Sequence, residues 1–380
     1  MFQKWSLCGV VSAIVLSTPS LGLVKTDCVD VSIPIAPNCA TKPVRVIKLN
    51  PELDQQKPLA PFDKSGWVIV DRMLVGAVDQ QWLLSKNLET SSLNWWVKLG
   101  SALTAPPLAI DKKILIGTKD GLIRLLDALD GSTLWELQAG SFVDRPFQVV
   151  GDRVYFSTIS QQVFSVSLKD GARQWIYDAA RPSSLQVQTG AGLLVSGDKL
   201  YFGSSDGIIH CMDRQSGHLS WSYKLDTKDN SRFKDIVGQL ALIDSSLLVS
   251  SYSGEIASLD LSGISVSLNW RRSLPSITTS FFQNGIWYLG HINGDVRAID
   301  GRNGKEIWTV AIGSAVSGFY VSESKVYVTS ATGAVAALKI SDGAFEWLDN
   351  LDGAIHAQAI AFGDILYIPT GLKVLYGYQM

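Results

Sequence analysis

Along most of this chain, apolar residues fall in short runs of four to six, each bounded by a pair of turn residues. The stretch 195–225, VSGDKLYFGSSDGIIHCMDRQSGHLSWSYKL, shows the pattern most fully. Gly197-Asp198 precedes Leu200-Tyr201-Phe202, Asp206-Gly207 precedes Ile208-Ile209, and Ser216-Gly217 precedes Leu219 and Trp221. Pairs such as Asp-Gly and Ser-Gly supply the positive φ angles of tight hairpin turns. Short runs between such turns predict antiparallel strands rather than helices. A meander of this length cannot bury both of its faces alone, so it requires neighbours of the same kind.

The neighbours are present. Trp95, Trp135, Trp175, Trp221, Trp270, Trp308 and Trp347 close successive copies, at spacings of 40, 40, 46, 49, 38 and 39 residues. An inner turn recurs at Asp120-Gly121, Asp206-Gly207, Ser253-Gly254, Asn293-Gly294 and Thr332-Gly333. An outer turn recurs at Asp130-Gly131, Asp170-Gly171, Ser216-Gly217, Asn303-Gly304 and Asp342-Gly343. A period near 40 residues with about four strands per period is a propeller pattern, one blade per copy. Seven large aromatics at equivalent positions are expected to pack between blades rather than to stack on a ligand.

The last copy, 353–380, stops before its outer strand. Within the Pro-rich segment 23–65, residues 44–49 form the one strand-like run, alternating apolar and polar, and are expected to supply the missing strand. Such closure pairs both sheet edges. The expected fold is therefore all-β: an eight-bladed β-propeller of four-stranded antiparallel blades, closed by an N-terminal strand. The expected organisation is a signal peptide over 1–22, a leader over 23–65 and the propeller over 66–380. The signal reading rests on Lys4, the short apolar run Leu7–Leu16 and small residues at Ser20 and Gly22.

Length alone, 380 residues, suggests two or three domains, but the repeat overrides it, because blades share one ring. A formal net charge of −2 gives no basic field for nucleic acid. Cys28 and Cys39 lie close together and are candidates for a disulfide in an oxidising compartment, with two free thiols as the alternative. Cys211 reads as a buried small hydrophobe. No cysteine follows a lipobox, so no lipid anchor is evident. The histidines, at 210, 218, 291 and 356, fall in no ligand spacing, and there is no Gly-x-Ser-x-Gly elbow or phosphate loop. The sequence therefore predicts no enzyme, no metal site and no cofactor.

Two spacings exceed 40, and the extra residues fall around 178–193 and 227–240. Each links one blade's outer strand to the next blade's inner strand, and such links emerge on one face of a propeller. Long loops on a rigid scaffold often carry binding, although neutral surface insertion is the alternative.

The combination of Gly203, Asp206, Gly207, Asp213, Gly217 and Trp221, repeated at Gly117, Asp120, Gly121, Asp127, Gly131 and Trp135, resembles the PQQ-type propeller repeat. That repeat serves both enzymes and scaffolds. Quinoprotein dehydrogenases of this type are usually much longer and carry adjacent cysteines, which this chain lacks. The chain is more similar to the BamB family, scaffolds of outer-membrane β-barrel assembly, whose partner-binding loops follow the third and fourth blades. The resemblance implies a periplasmic scaffold, associated with the outer membrane, that binds periplasmic domains of the barrel-forming (BamA-like) component. Its contact residues would be Leu185, Val187 and Gln188 in the first link and Arg232, Phe233, Lys234 and Asp235 in the second. The apolar members would form an exposed patch, with Arg232, Lys234 and Asp235 as its charged rim. The chain departs from the family where Gln188 replaces an Arg and where Arg232 and Lys234 change the order of charges. The alternatives are a quinone-dependent dehydrogenase, or a propeller that binds another envelope protein or a glycan.

Overall fold

Eight four-stranded antiparallel sheets account for all the strands among the described residues. The structure is a computed structural model, and it describes residues 42–48, 66–78, 82–143, 145–179, 191–225, 233–372 and 374–380. Blade one comprises Trp67–Val70, Met73–Val78, Trp82–Asn87 and Leu93–Lys98. Blade two comprises Leu108–Ile110, Lys113–Gly117, Leu122–Asp127 and Thr133–Gln138. Blade three comprises Gln148–Val150, Arg153–Ser157, Gln162–Ser167 and Arg173–Asp178. Blade four comprises Leu194–Ser196, Lys199–Gly203, Ile208–Asp213 and Leu219–Lys224. Blade five comprises Ile236–Ile243, Ser246–Ser251, Glu255–Asp260 and Ser267–Ser273. Blade six comprises Ile277–Gln283, Ile286–His291, Asp295–Asp300 and Glu306–Ala311, and blade seven Val316–Val321, Lys325–Ser330, Ala334–Lys339 and Phe345–Asn350.

Blade eight is built from both ends of the propeller sequence. Ile360–Phe362, Ile365–Thr370 and Val374–Gln379 form its first three strands, and Arg45–Lys48 forms the fourth. Arg45 lies opposite Gly377 and Lys48 opposite Val374, in antiparallel register. Ile47 enters a core shared with Trp67, Leu74 and Leu84 of blade one, so the closing strand is also a packing element. The first strands of blades eight and one touch, which closes the ring. This is the closure expected from the sequence. Cys28, Cys39 and residues 1–22 lie outside the described residues.

The repeated tryptophan explains why blades of this sequence stack. In each of the first seven blades a register shift precedes it, as at Leu125/Leu126 opposite Trp135. Such a bulge re-aims the side chain that follows. The ring then crosses to the next blade. The indole N–H of Trp135 donates to the Leu168 carbonyl at 2.8 Å, and Trp95 and Trp308 make the same bond to Ala128 and Ile340, each at 2.8 Å. Gly171 sits under the Trp135 ring with φ at 71°, and a Cβ there would lie 2.6 Å from the ring. Glycine is required at that position twice over, by conformation and by space. Between these contacts the second and third strands bury continuous apolar faces. Leu115, Ile123 and Trp135 of blade two meet Val154, Phe156 and Phe164 of blade three in one such layer.

Trp221 departs from the pattern. The outer turn of blade five runs through 261–266, its Gly263 meets no tryptophan, and Trp221 is half-buried beside the core of blades four and five, its ring 6.1 Å from that of Tyr201.

Candidate partner-binding face

The links from fourth to first strands share one face with the turns between second and third strands. The N–H of Ala139 donates to Gly121 at 2.9 Å, and Lys119 donates to Ala102 at 2.7 Å, tying link to turn. The described ends of the two long links lie on this face, on either side of blade four. Leu185, Val187, Gln188 and Arg232 lie outside the described residues, but the feet of both links are described.

Those feet are joined. The N–H of Ala191, at the end of the first link, donates to the carbonyl of Ile236, at the end of the second, at 2.7 Å. Both residues are fully buried. The N–H of Ile236 in turn donates to Ser204 at 3.2 Å, in the inner turn of blade four. Ile236 also packs directly on Gly203, where a Cβ would lie 2.5 Å from its side chain. The absence of a side chain at Gly203 therefore sets how closely blade five approaches blade four.

Buried polar groups reinforce the same joint. Arg145, only 3% exposed, donates from Nη1 to the Gly203 carbonyl at 3.0 Å, and its guanidinium lies 5.5 Å from the centre of the Phe202 ring. Phe202 stacks on His210 at 5.8 Å, and His210 Nδ1 is 3.1 Å from the Tyr177 hydroxyl. Burial depresses the His210 pKa from 6.5 to about 4, so the ring is neutral at physiological pH. Gln161 spans blades three and four, donating from Nε2 to Ser205 Oγ at 3.0 Å and accepting the Ser205 N–H at 3.2 Å. Its φ is 64°, in the left-handed region that other blades fill with glycine. The inner-turn glycines at 121, 207, 254, 294 and 333 have no counterpart in blade three, where Ser160-Gln161 stands. Blades one and eight lack that glycine as well, so its absence is only a weak sequence signal for a special residue there.

The charged rim expected of the second link is corrected in part. Asp235 has 0% exposure, because it leads directly into the Ile236–Gly203 contact, and its carbonyl accepts the Tyr252 N–H at 2.8 Å. Asp235 belongs to the joint between blades, not to a solvated rim. Lys234 and Phe233 are half-buried, and the Phe233 ring meets Tyr252 edge-on at 5.7 Å. Of the expected patch, the described part is therefore a supported edge of the link rather than a freely exposed tip.

No metal-binding cluster of His, Cys, Asp or Glu occurs among the described residues. A recess of about 450 Å³ follows the axis, where a quinone and its calcium ion would sit in the dehydrogenases. Its lining contains no carboxylate among the described residues, whereas calcium takes anionic oxygen ligands. These residues do not fit that pair. Cys211, the one described cysteine, is buried in strand three of blade four, and burial pushes its thiol up to about 11.

Eight four-stranded blades, five of whose joints are locked by a tryptophan on the next blade's glycine, define a propeller of the PQQ-repeat type. Within that class, the profile of the outer membrane protein assembly factor BamB family matches residues 71–291 and 292–378, and the chain belongs to this family. It is 27% identical over 214 residues to the outer membrane protein assembly factor BamB of Shewanella oneidensis, covering 55% of this chain and 53% of that protein. The chain thus spans about half the length of that relative. The Burkholderia pseudomallei protein of the same name is 25% identical over 354 residues, covering 89% of this chain and 91% of its own. The crystal structure of BamB from Moraxella catarrhalis superposes with a TM-score of 0.75 at 22% identity, covering 90% of this chain and all of the other, a likeness of fold.

Proposed function

We propose that this protein is a non-catalytic scaffold of the periplasm that joins the outer-membrane protein assembly machinery by binding the periplasmic region of its barrel-forming component. The observation that carries the reading is the joined footing of the two long links, at Ala191 and Ile236, in a chain that belongs to the BamB family. A contact surface gains affinity when its conformation is fixed before binding, because less freedom is lost on association. Gly203, Arg145 and Gln161 hold blades three, four and five in one arrangement, and the described ends of both links sit on it. Phe233 supplies an aromatic anchor at the base of the second link, and Leu185 and Val187 would supply apolar contacts in the first. Arg232, Lys234 and Gln188 would orient the partner more than they add raw affinity. Asp235 would act from within, by fixing the second link's foot.

The absence of carboxylates from the described lining of the axial recess supports scaffolding over quinone chemistry. The test is direct binding of the full-length mature protein to the purified periplasmic region of the barrel-forming component from the same organism. Saturable binding at micromolar or lower concentration is expected. Failure to bind, together with alcohol-dependent dye reduction in the presence of quinone and calcium, would replace this reading with the dehydrogenase one.

A further inference from the structure

The axial recess has a chemistry of its own, independent of the partner-binding links. It lies where the first strands begin, so its mouth opens on the face that carries the links. Among the described residues its lining has no Asp, Glu, Lys or Arg, and His356 is its one titratable side chain. An ionised ligand would be desolvated there with no carboxylate, ammonium or guanidinium of the described lining to pair with, which is costly.

The recess also discourages a peptide strand. Inner strands of a propeller present edge N–H and C=O groups toward the axis, and such groups pair with an added strand. Here side chains already occupy three of them, in blades five to seven. Gln239 Oε1 accepts the Phe282 N–H at 3.0 Å, Ser280 Oγ accepts the Gln239 N–H at 3.0 Å, and the Thr278 hydroxyl donates to the Val316 carbonyl at 2.7 Å.

What remains free is a set of neutral side-chain groups. The amides of Gln148 and Gln358 and the hydroxyl of Thr279 line the recess and make no hydrogen bond within the described chain. Gln239, with its oxygen committed to Phe282, retains its two amide N–H donors. Half-buried Phe281 lines the same space and adds an aromatic surface. Paired donors and acceptors beside an aromatic ring match a ligand dense in hydroxyl groups and lacking charge. A volume of about 450 Å³ falls within the range of about 300–1,000 Å³ usual for small-molecule sites.

We propose that the axial recess binds a neutral saccharide of one or two rings, hydrogen-bonded by Gln148, Gln239, Thr279 and Gln358 with a ring face against Phe281. The experiment is a calorimetric and saturation-transfer NMR titration of the full-length mature protein. The probes are maltose and N,N′-diacetylchitobiose, with glucuronate and an uncharged strand-forming hexapeptide as the other two arms. Saturable binding of at least one neutral disaccharide at millimolar concentration or below is expected, with no binding of glucuronate. Gln358→Leu, at an exposed position, and Gln148→Leu should each weaken it about tenfold, which is about 1.4 kcal/mol, with an unchanged melting temperature. Absence of binding by both disaccharides overturns the proposal. So does preferential binding of glucuronate or of the hexapeptide, or disaccharide binding that neither variant alters.

Discussion

Ile236 lies against Gly203 so closely that a single Cβ at residue 203 would come within 2.5 Å of it. This contact sets the approach of blade five to blade four, and both long links end on it. Replacing Gly203 by Val should force the blades apart. The expected loss is about 1–3 kcal/mol, the usual cost of overpacking, measured by urea denaturation. The same variant should weaken partner binding by more than the stability loss explains, since the protein remains folded in the binding assay. Full affinity in a folded Gly203→Val protein would separate the joint from the binding face.

The tryptophan–glycine contact should dominate stability. Trp135→Ala removes a buried ring and its bond to Leu168, and should cost about 3–5 kcal/mol. Trp221→Ala should cost less, because Trp221 is half-buried and no glycine of the next blade receives it. Parallel denaturation curves for the two variants test this order, and equal losses would contradict it.

The ring closure makes its own demand. Removing residues 42–48 exposes the edge of Val374–Gln379 and uncovers the core that Ile47 enters. A lower melting temperature with concentration-dependent aggregation is expected in a heating experiment followed by light scattering. A melting curve identical to that of the intact protein would refute the structural role of this strand.

His210 gives stability a definite pH dependence. Its pKa is lowered by burial from 6.5 to about 4, so the unfolded chain takes up the proton first as pH falls. Stability is therefore unaffected by this group above about pH 6.5, declines between about 6.5 and 4, and loses nothing further below that. The decline amounts to a few kcal/mol at most, at about 1.4 kcal/mol per pKa unit. His210→Gln should flatten the slope in that window, as read from denaturation midpoints at several pH values.

The fold was legible in the sequence because each blade repeats one contact, and a repeated contact leaves a repeated signature. The Trp-to-Gly register appears at 95 and 131, 135 and 171, 175 and 217, 270 and 304, and 308 and 343. It breaks after Trp221, where Gly263 of the next outer turn meets no tryptophan, and after Trp347, which stacks on Tyr378 instead. The joint beneath the links was less legible. Arg145, Gln161 and Asp235 are single polar residues whose burial depends on segments 44–58 residues away or on a neighbouring blade. Asp235 in particular reads as a surface charge beside Arg232 and Lys234, and only the packing of Ile236 on Gly203 draws it inside. The left-handed Gln161 stands where five other blades place glycine, but blades one and eight lack that glycine as well, so its absence alone did not single Gln161 out.

The central claim is that the two long links on their common footing form the partner-binding face. Changing Leu185 and Phe233 together to Ser tests it most directly. Affinity for the purified periplasmic region of the barrel-forming component is measured by calorimetry, beside the melting temperature of the same variant. The account predicts a loss of more than about 2 kcal/mol in binding, as for anchor residues, with the melting temperature nearly unchanged. Unchanged affinity in the folded double variant would contradict the claim.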